Sequence, residues 1–369
     1  MRGHSRRTSP VLRSLGGRTL LFSELGQRVY ELDDLTAFVW ESLRQGIRVE
    51  AMIDELVGSG VDGEAAACAI RSAVAQLQAI QETDAAPKSP ETGSSRERIV
   101  SFVTEVAGVA VQLHLSEDLL PEIEATLGYL RTSDRTPDGQ LFARRVGDQV
   151  EFLPPGRPLR QCDPSEFVPI LKAELLEQVL QLATYEVALH TAAVVRNRKA
   201  LLLAGSPGAG KTTLALALTR SGWALAADDV VLLDQDGRIT GLPFPLTAKS
   251  SSWPLIDEHW PELSAGPVFH RPDGFDVRYI VPEPMAGAGP WEIGSVVLLD
   301  RRAEGDALLE EVEPTSAFAA LLAEGTSHDQ QLSTAGFTAL VGALDKAQCR
   351  RLIYSDLLEG ADVLRGLCP

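Results

Sequence analysis

The spacing of apolar and polar positions changes several times along the chain. Residues 20–32 hold two short strand-like runs with a turn at Leu25 and Gly26. A helical period follows. Leu35, Phe38, Val39 and Leu43 share one face, and Val49, Met52, Ile53 and Leu56 share a second. Ile70, Val74, Leu77 and Ile80 form a third, with Asp62 placed as its N-cap. A hairpin and three short helices predict a small winged-helix α+β domain. Residues 82–98, ETDAAPKSPETGSSRER, have almost no apolar content and cannot bury enough surface to offset the entropy of ordering. They predict a linker between a domain over 1–81 and a larger one over 99–369.

In the larger domain, residues 99–186 form a leading portion and 187–369 a core. The lead opens with an alternating run at Val109, Val111 and Leu113, passes a polar, turn-rich hairpin over 133–158, and ends in a long amphipathic helix over 166–186. In the core, two β runs joined at 196–198 precede a glycine-rich turn. A helix stopped by Ser221 and Gly222 and another apolar strand follow. Prolines from Pro243 to Pro284 make 241–284 read as loop. The last stretch alternates a buried strand over 295–300, helical segments and a strand-like run over 351–354. The pattern predicts an α/β class.

The glycine-rich turn reads GSPGAGKT over 205–212, matching G-x-x-x-x-G-K-[ST]. Gly205, Ser206, Gly208, Ala209 and Gly210 let backbone N–H groups close around phosphate oxygens. The helix that opens near Lys211, through Thr212 and Thr213, directs its positive end at the anion. Lys211 can bridge the β and γ oxygens, and Thr212 can offer its hydroxyl to Mg²⁺. The motif predicts a site for a nucleoside triphosphate, with ATP and Mg²⁺ as the cofactors.

Asp228 and Asp229 follow between two apolar runs. Adjacent carboxylates in such a strand are costly unless they meet a cation or share a proton. One can hold Mg²⁺, while its neighbour takes a proton from an attacking hydroxyl. An ordinary strand-end turn also fits the pair. His190, at the end of an expected helical segment, fits a core or helix-end histidine better than a catalytic one when taken alone. Lys249 and Arg278 are each either cations that neutralise a transferred phosphoryl group or solvated surface charges.

Composition narrows the classes. The chain has 369 residues and a net charge of −17, which disfavours nucleic acid as a partner. Cys68, Cys162, Cys349 and Cys368 form no CxxC pair, so no zinc site or disulfide framework is expected. No apolar stretch follows Arg2, Arg6 and Arg7, and none approaches the roughly 18–20 residues of a membrane span. A cytoplasmic protein without a membrane partner is expected.

Taken in order, several segments resemble the HPr kinase/phosphorylase fold and its bacterial relatives. These are LHTAAV over 189–194, GSPGAGKTT with its helix ending RSGW, LAADDV over 225–230, PFPLTAK over 243–249 and VRYI over 277–280. The resemblance implies an ATP- and Mg²⁺-dependent serine kinase and a homo-oligomer. It implies Asp228 as proton acceptor, Asp229 near the metal and His190 beside the reacting centre. Thr212 stands where serine is more usual. The glycine-rich signature of the reverse, phosphorylase reaction is not evident after Gly241, so neither that reaction nor HPr as substrate is expected.

The first domain resembles, in apolar pattern only, the recognition elements of ribosomal natural-product pathways related to the pyrroloquinoline quinone peptide chaperone. The residues are VYELDDLTAFVWESL over 29–43, VEAMIDELV over 49–57 and VDGEAAACAIRSAVAQL over 61–77. In that family a leader peptide adds a strand to a sheet edge, and here the edge candidates are 19–22 and 28–32. The combination is similar to kinases of lasso-peptide precursors. It implies a kinase acting on a Ser or Thr of a captured precursor peptide. A kinase of a small-molecule hydroxyl is the alternative. A nucleotide-switched DNA-binding regulator is disfavoured, because the third helix offers only Arg71 as a cation.

Overall fold

The computed structural model describes residues 11–15, 18–23, 28–84, 98–154, 157–287, 289–323 and 332–367. The chain divides into two compact units, Met1–Arg96 with Leu153–Arg160, and Glu97–Phe152 with Gln161–Pro369.

The first unit has an antiparallel sheet of Val11–Leu15, Arg18–Ser23 and Arg28–Leu32, in that order. The middle strand covers 19–22, so that expected edge is an interior position. The edges are Val11–Leu15 and Arg28–Leu32. Helices Asp34–Arg44, Val49–Gly58 and Gly63–Asp84 follow. Asp33 starts the first by accepting the Thr36 N–H at 2.6 Å. Asp62 accepts the N–H groups of Glu64 and Ala65 at the start of the third. Leu21, Val39, Trp40, Met52, Ile70 and Leu77 bury together as the core of this unit. The third helix runs through residues 82–84, where the linker was expected to begin, because Gly63–Asp84 contains no proline to stop it. The linker's stretch over 85–97 and the turn at Leu25 and Gly26 lie outside the described residues.

The second unit opens with a six-stranded sheet, in the order Arg131–Thr132, Ile99–Val106, Val109–Ser116, Gly139–Val146, Gln149–Leu153 and Arg160–Cys162. Helix Pro164–Leu182 follows, four residues short of the expected end, because its chain leaves the helix at Ala183 for an extended segment. Asp163 and Glu166 form a capping box at its start. Phe167, Leu171, Leu175 and Val179 join Leu113, Leu115 and Phe152 in one core. Burying such side chains stabilises by about 1.5–3 kcal/mol each.

The core expected over 187–369 is built on a nine-stranded mixed sheet. Its main path runs Val187–His190, Val230–Leu233, Arg238–Gly241, Trp291–Arg301, Lys199–Ala204, Ala192–Arg196 and Ala224–Ala227. Trp291–Arg301 lies parallel to both Lys199–Ala204 and Gln348–Tyr354. The C-terminal ends of these three strands therefore open on one side, which is where ligands bind in α/β sheets. Asn197 and Arg198, both at positive φ, close the tight hairpin into the strand Lys199–Ala204.

Two sequence expectations change here. His190 ends a strand rather than a helix, paired across from Val230. The stretch 241–284 contains a three-stranded sheet, ordered Leu246–Lys249, Asp276–Ile280 and Phe269–His270, beside helix Trp253–His259. The prolines punctuate these short elements without abolishing them. No helix among the described residues is long and apolar enough to cross a membrane.

Candidate active site

The phosphate loop leaves the buried strand Lys199–Ala204 and enters helix Lys211–Thr219. Gly210 is the N-cap at φ 94°, a left-handed conformation that glycine adopts without strain. A Cβ there would run into the Tyr354 hydroxyl. Lys211 donates its ammonium to the Gly205 carbonyl, folding back over the loop. The Thr213 hydroxyl donates to Gly210 O at 3.0 Å. Ser206, Gly208 and Ala209 line a cavity on the outer flank of the loop.

Asp228 and Asp229 sit in the turn between Ala224–Ala227 and Val230–Leu233. Asp228 is 2% exposed. Its Oδ2 accepts the Thr247 N–H at 2.7 Å, while its Oδ1 is buried with no hydrogen-bond partner. Burial, then the adjacent Asp229 charge, pushes Asp228 up to about 7. Lys172, the Thr247 N–H and the Thr212 hydroxyl pull the other way. The Thr212 pull places that hydroxyl beside the carboxylate, although it makes no well-formed bond to Oδ1.

Lys172 carries the positive charge of this cluster, and sequence reading missed it. Its Nζ donates to Asp229 Oδ2 at 3.0 Å and to Thr247 Oγ1 at 2.7 Å. It also lies 5.5 Å and 5.8 Å from the ring centres of Tyr279 and Phe244. Burial alone would lower its proton affinity, but the charges of Asp229 and Asp228 outweigh that and raise it. Asp229 is held low despite its partial burial, chiefly by Lys172, with lesser help from His190 and Arg271. A signal for Lys172 existed in the sequence. Val168, Lys172, Leu175 and Val179 are spaced as one helical stripe, and a lysine in such a stripe requires a buried partner. Arg271 offered no such signal. It lies on a proline-flanked turn and binds Asp273 through two hydrogen bonds.

The structure separates Lys249 from Arg278. Strand alternation puts Lys249 on the Thr247 face of the small sheet, with its ammonium 4.6 Å from the Phe275 ring centre. Arg278 pairs with Ala248 and so takes the opposite face, stacked on Trp253 at 4.2 Å and bonded to Asp257 at 3.2 Å.

The cluster suits a triphosphate and Mg²⁺. The loop offers main-chain donors and Lys211. Thr212 and the partly open Asp229 supply a hydroxyl and a carboxylate. Asp228 keeps one buried oxygen free of hydrogen bonds. Among the described residues no three His, Cys, Asp or Glu gather as a self-contained metal cage. Mg²⁺ shared with phosphate oxygens needs only one or two protein ligands.

Residues 177–238 match the family model described as Zeta toxin. That span holds the phosphate loop, its helix and the aspartate turn. A solved structure, the Hpr(Ser) kinase/phosphatase from Coxiella burnetii, is similar at 15% identity, covering 48% of this chain and 93% of that one, with a TM-score of 0.24. No curated protein matches the chain.

Proposed function

We propose that this chain is an ATP- and Mg²⁺-dependent kinase that phosphorylates a Ser or Thr hydroxyl of a ribosomally made precursor peptide. The observation that carries the kinase reading is the buried Oδ1 of Asp228, left without a hydrogen-bond partner in a carboxyl that also feels the Thr212 hydroxyl of the phosphate loop. A bound ATP supplies the phosphoryl group, and Mg²⁺ offsets its charge. Asp228 accepts the proton of the attacking hydroxyl through Oδ1, while the Thr247 N–H fixes its other oxygen. Lys211 and the loop amides bind phosphate oxygens. Asp229 and Thr212 would hold the metal, and Lys172 keeps Asp229 ionised. His190, across from Val230, borders the reacting centre. On the face shared with Thr247, Lys249 is the better placed of the two candidate cations to meet phosphoryl charge.

The peptide part of the reading is supported by the separate first unit. Its sheet has two edges, Val11–Leu15 and Arg28–Leu32, at which an extended peptide can add a strand. Tethering such a unit to the kinase raises the local concentration of its target.

Incubating the full-length protein with ATP, Mg²⁺ and precursor peptides encoded beside its gene tests the whole reading. One added phosphoryl group on a Ser or Thr, lost when the leader is removed, is expected. Transfer to a small-molecule alcohol instead would discard the peptide part. ATP binding with no transfer to any alcohol would discard the kinase part.

A further inference from the structure

Tyr354 ends the parallel strand Gln348–Tyr354 and is 2% exposed. Its hydroxyl donates to the Ala209 carbonyl, inside the phosphate loop, at 2.6 Å. Its own carbonyl accepts the Arg302 N–H at 2.8 Å. The next residue, Ser355, donates its hydroxyl to Gly305 O at 2.7 Å. Two consecutive residues thus grip both the phosphate loop and the turn that follows Trp291–Arg301. The ring lies against Gly360, so the side chain is seated independently of its hydroxyl. Burial pushes that hydroxyl up to about 12, against the pull of Arg301, so it keeps its proton and remains a donor at neutral pH.

The two gripped segments and Ser355 line an open cleft of about 600 Å³. Its walls include Ser206, Gly208, Asp300, Arg301 and Arg302. The volume falls within the roughly 300–1,000 Å³ of small-molecule sites. Strand order fixes where it lies. Trp291–Arg301 is on one side of Lys199–Ala204, whereas Ala192–Arg196 and Ala224–Ala227, which leads to Asp228, are on the other. A triphosphate with its terminal group beside Asp228 has this flank for its other end. The hydroxyl of Ser355 and the cation of Arg301 supply polar contacts there.

We propose that Tyr354 is a positioning residue of the nucleotide site. It ties the phosphate loop to the turn after Trp291–Arg301 and so shapes the cavity between them, which takes the nucleoside end of the triphosphate. The inference rests on the nucleotide reading above.

Calorimetric titration of the full chain with ATP and with inorganic tripolyphosphate tests it. Tyr354→Phe keeps the ring and removes the bond to Ala209. It is expected to weaken both ligands together by about tenfold, because the loop leaves its phosphate-binding shape, and to lower the ligand-free unfolding midpoint as well, because the Ala209 carbonyl loses its buried partner. A lowered midpoint with unchanged affinities would make the residue merely structural and overturn the positioning role. Ala303→Trp, at an exposed point of the cavity wall, is expected to weaken ATP by about tenfold or more and leave tripolyphosphate unaffected. Equal ATP affinity in that variant would overturn the nucleoside site. Wild-type protein that binds neither ligand would instead overturn the nucleotide reading itself.

Discussion

Lys172 and Asp229, 57 residues apart in the chain, meet at 3.0 Å. The lysine side chain is 10% exposed and the aspartate 43%. The pair is asymmetric: the cation is committed to the interior, while its carboxylate keeps one side towards solvent. Thr247 shares the same ammonium and sends its N–H to Asp228, so one lysine orients both aspartates.

Replacing Lys172 with Met should therefore harm stability and function together. Breaking a buried pair typically costs about 3–5 kcal/mol, and the open side of Asp229 brings the expected loss to about 2–4 kcal/mol. Urea unfolding at neutral pH measures it. Phosphoryl transfer should fall by well over tenfold because both carboxylates lose their orientation. A variant as stable and active as wild type would mean that the pair organises nothing.

Asp228 gives a pH prediction with a definite sign. Burial and the neighbouring Asp229 charge push it up to about 7 in the folded state, from the ordinary 3.8 of an aspartate. Between those values the folded protein holds a proton that the unfolded chain has released, so this group's contribution to stability falls as pH rises through the window. Asp228→Asn should match wild type in stability near pH 4 and exceed it near pH 8. Catalysis runs the opposite way. The wild-type rate should rise with pH through about 7 as the base deprotonates, and the variant should retain ATP binding but lose transfer. Parallel stability curves and an unaltered rate would remove Asp228 from the proton path.

Thr212→Ala addresses the metal. ATP should bind wild-type protein more tightly with Mg²⁺ than with EDTA. The variant should lose most of that difference, because the hydroxyl that shares the ion is gone. Nucleotide titrations with and without chelator decide it. An identical Mg²⁺ benefit in both proteins would exclude Thr212 as a ligand.

Gly210→Ala should abolish tight ATP binding without any change of charge. Its φ of 94° and the Tyr354 hydroxyl in the space of a Cβ leave no room for a side chain. The left-handed backbone alone costs about 1–3 kcal/mol, so the loop must move off its phosphate-binding shape. Wild-type affinity in this variant would show that the loop shape is not required.

What could be read in advance follows from how local each signal is. The phosphate loop and the Asp228–Asp229 turn announce themselves within a few residues, because their chemistry depends on adjacent positions. Tyr354 reaches Ala209 across 145 positions and Lys172 reaches Thr247 across 75. Nothing in either neighbourhood names its partner. The small sheet over 246–280 was hidden for another reason. Its strands are at most five residues long, too short for alternation to stand out among prolines. His190 was misplaced because Val187–His190 is a four-residue apolar run joined closely to the end of a long helix, where helical and strand periods cannot be told apart.

The helix behind the phosphate loop is buried at every residue from Thr213 to Thr219. A rod enclosed on all sides has no direction in which to swing. The loop it carries is a fixed anvil, and any motion the site needs belongs to other segments. Substitutions that loosen this rod, Leu216→Ala among them, would blur the one surface in the fold whose task is to stay still.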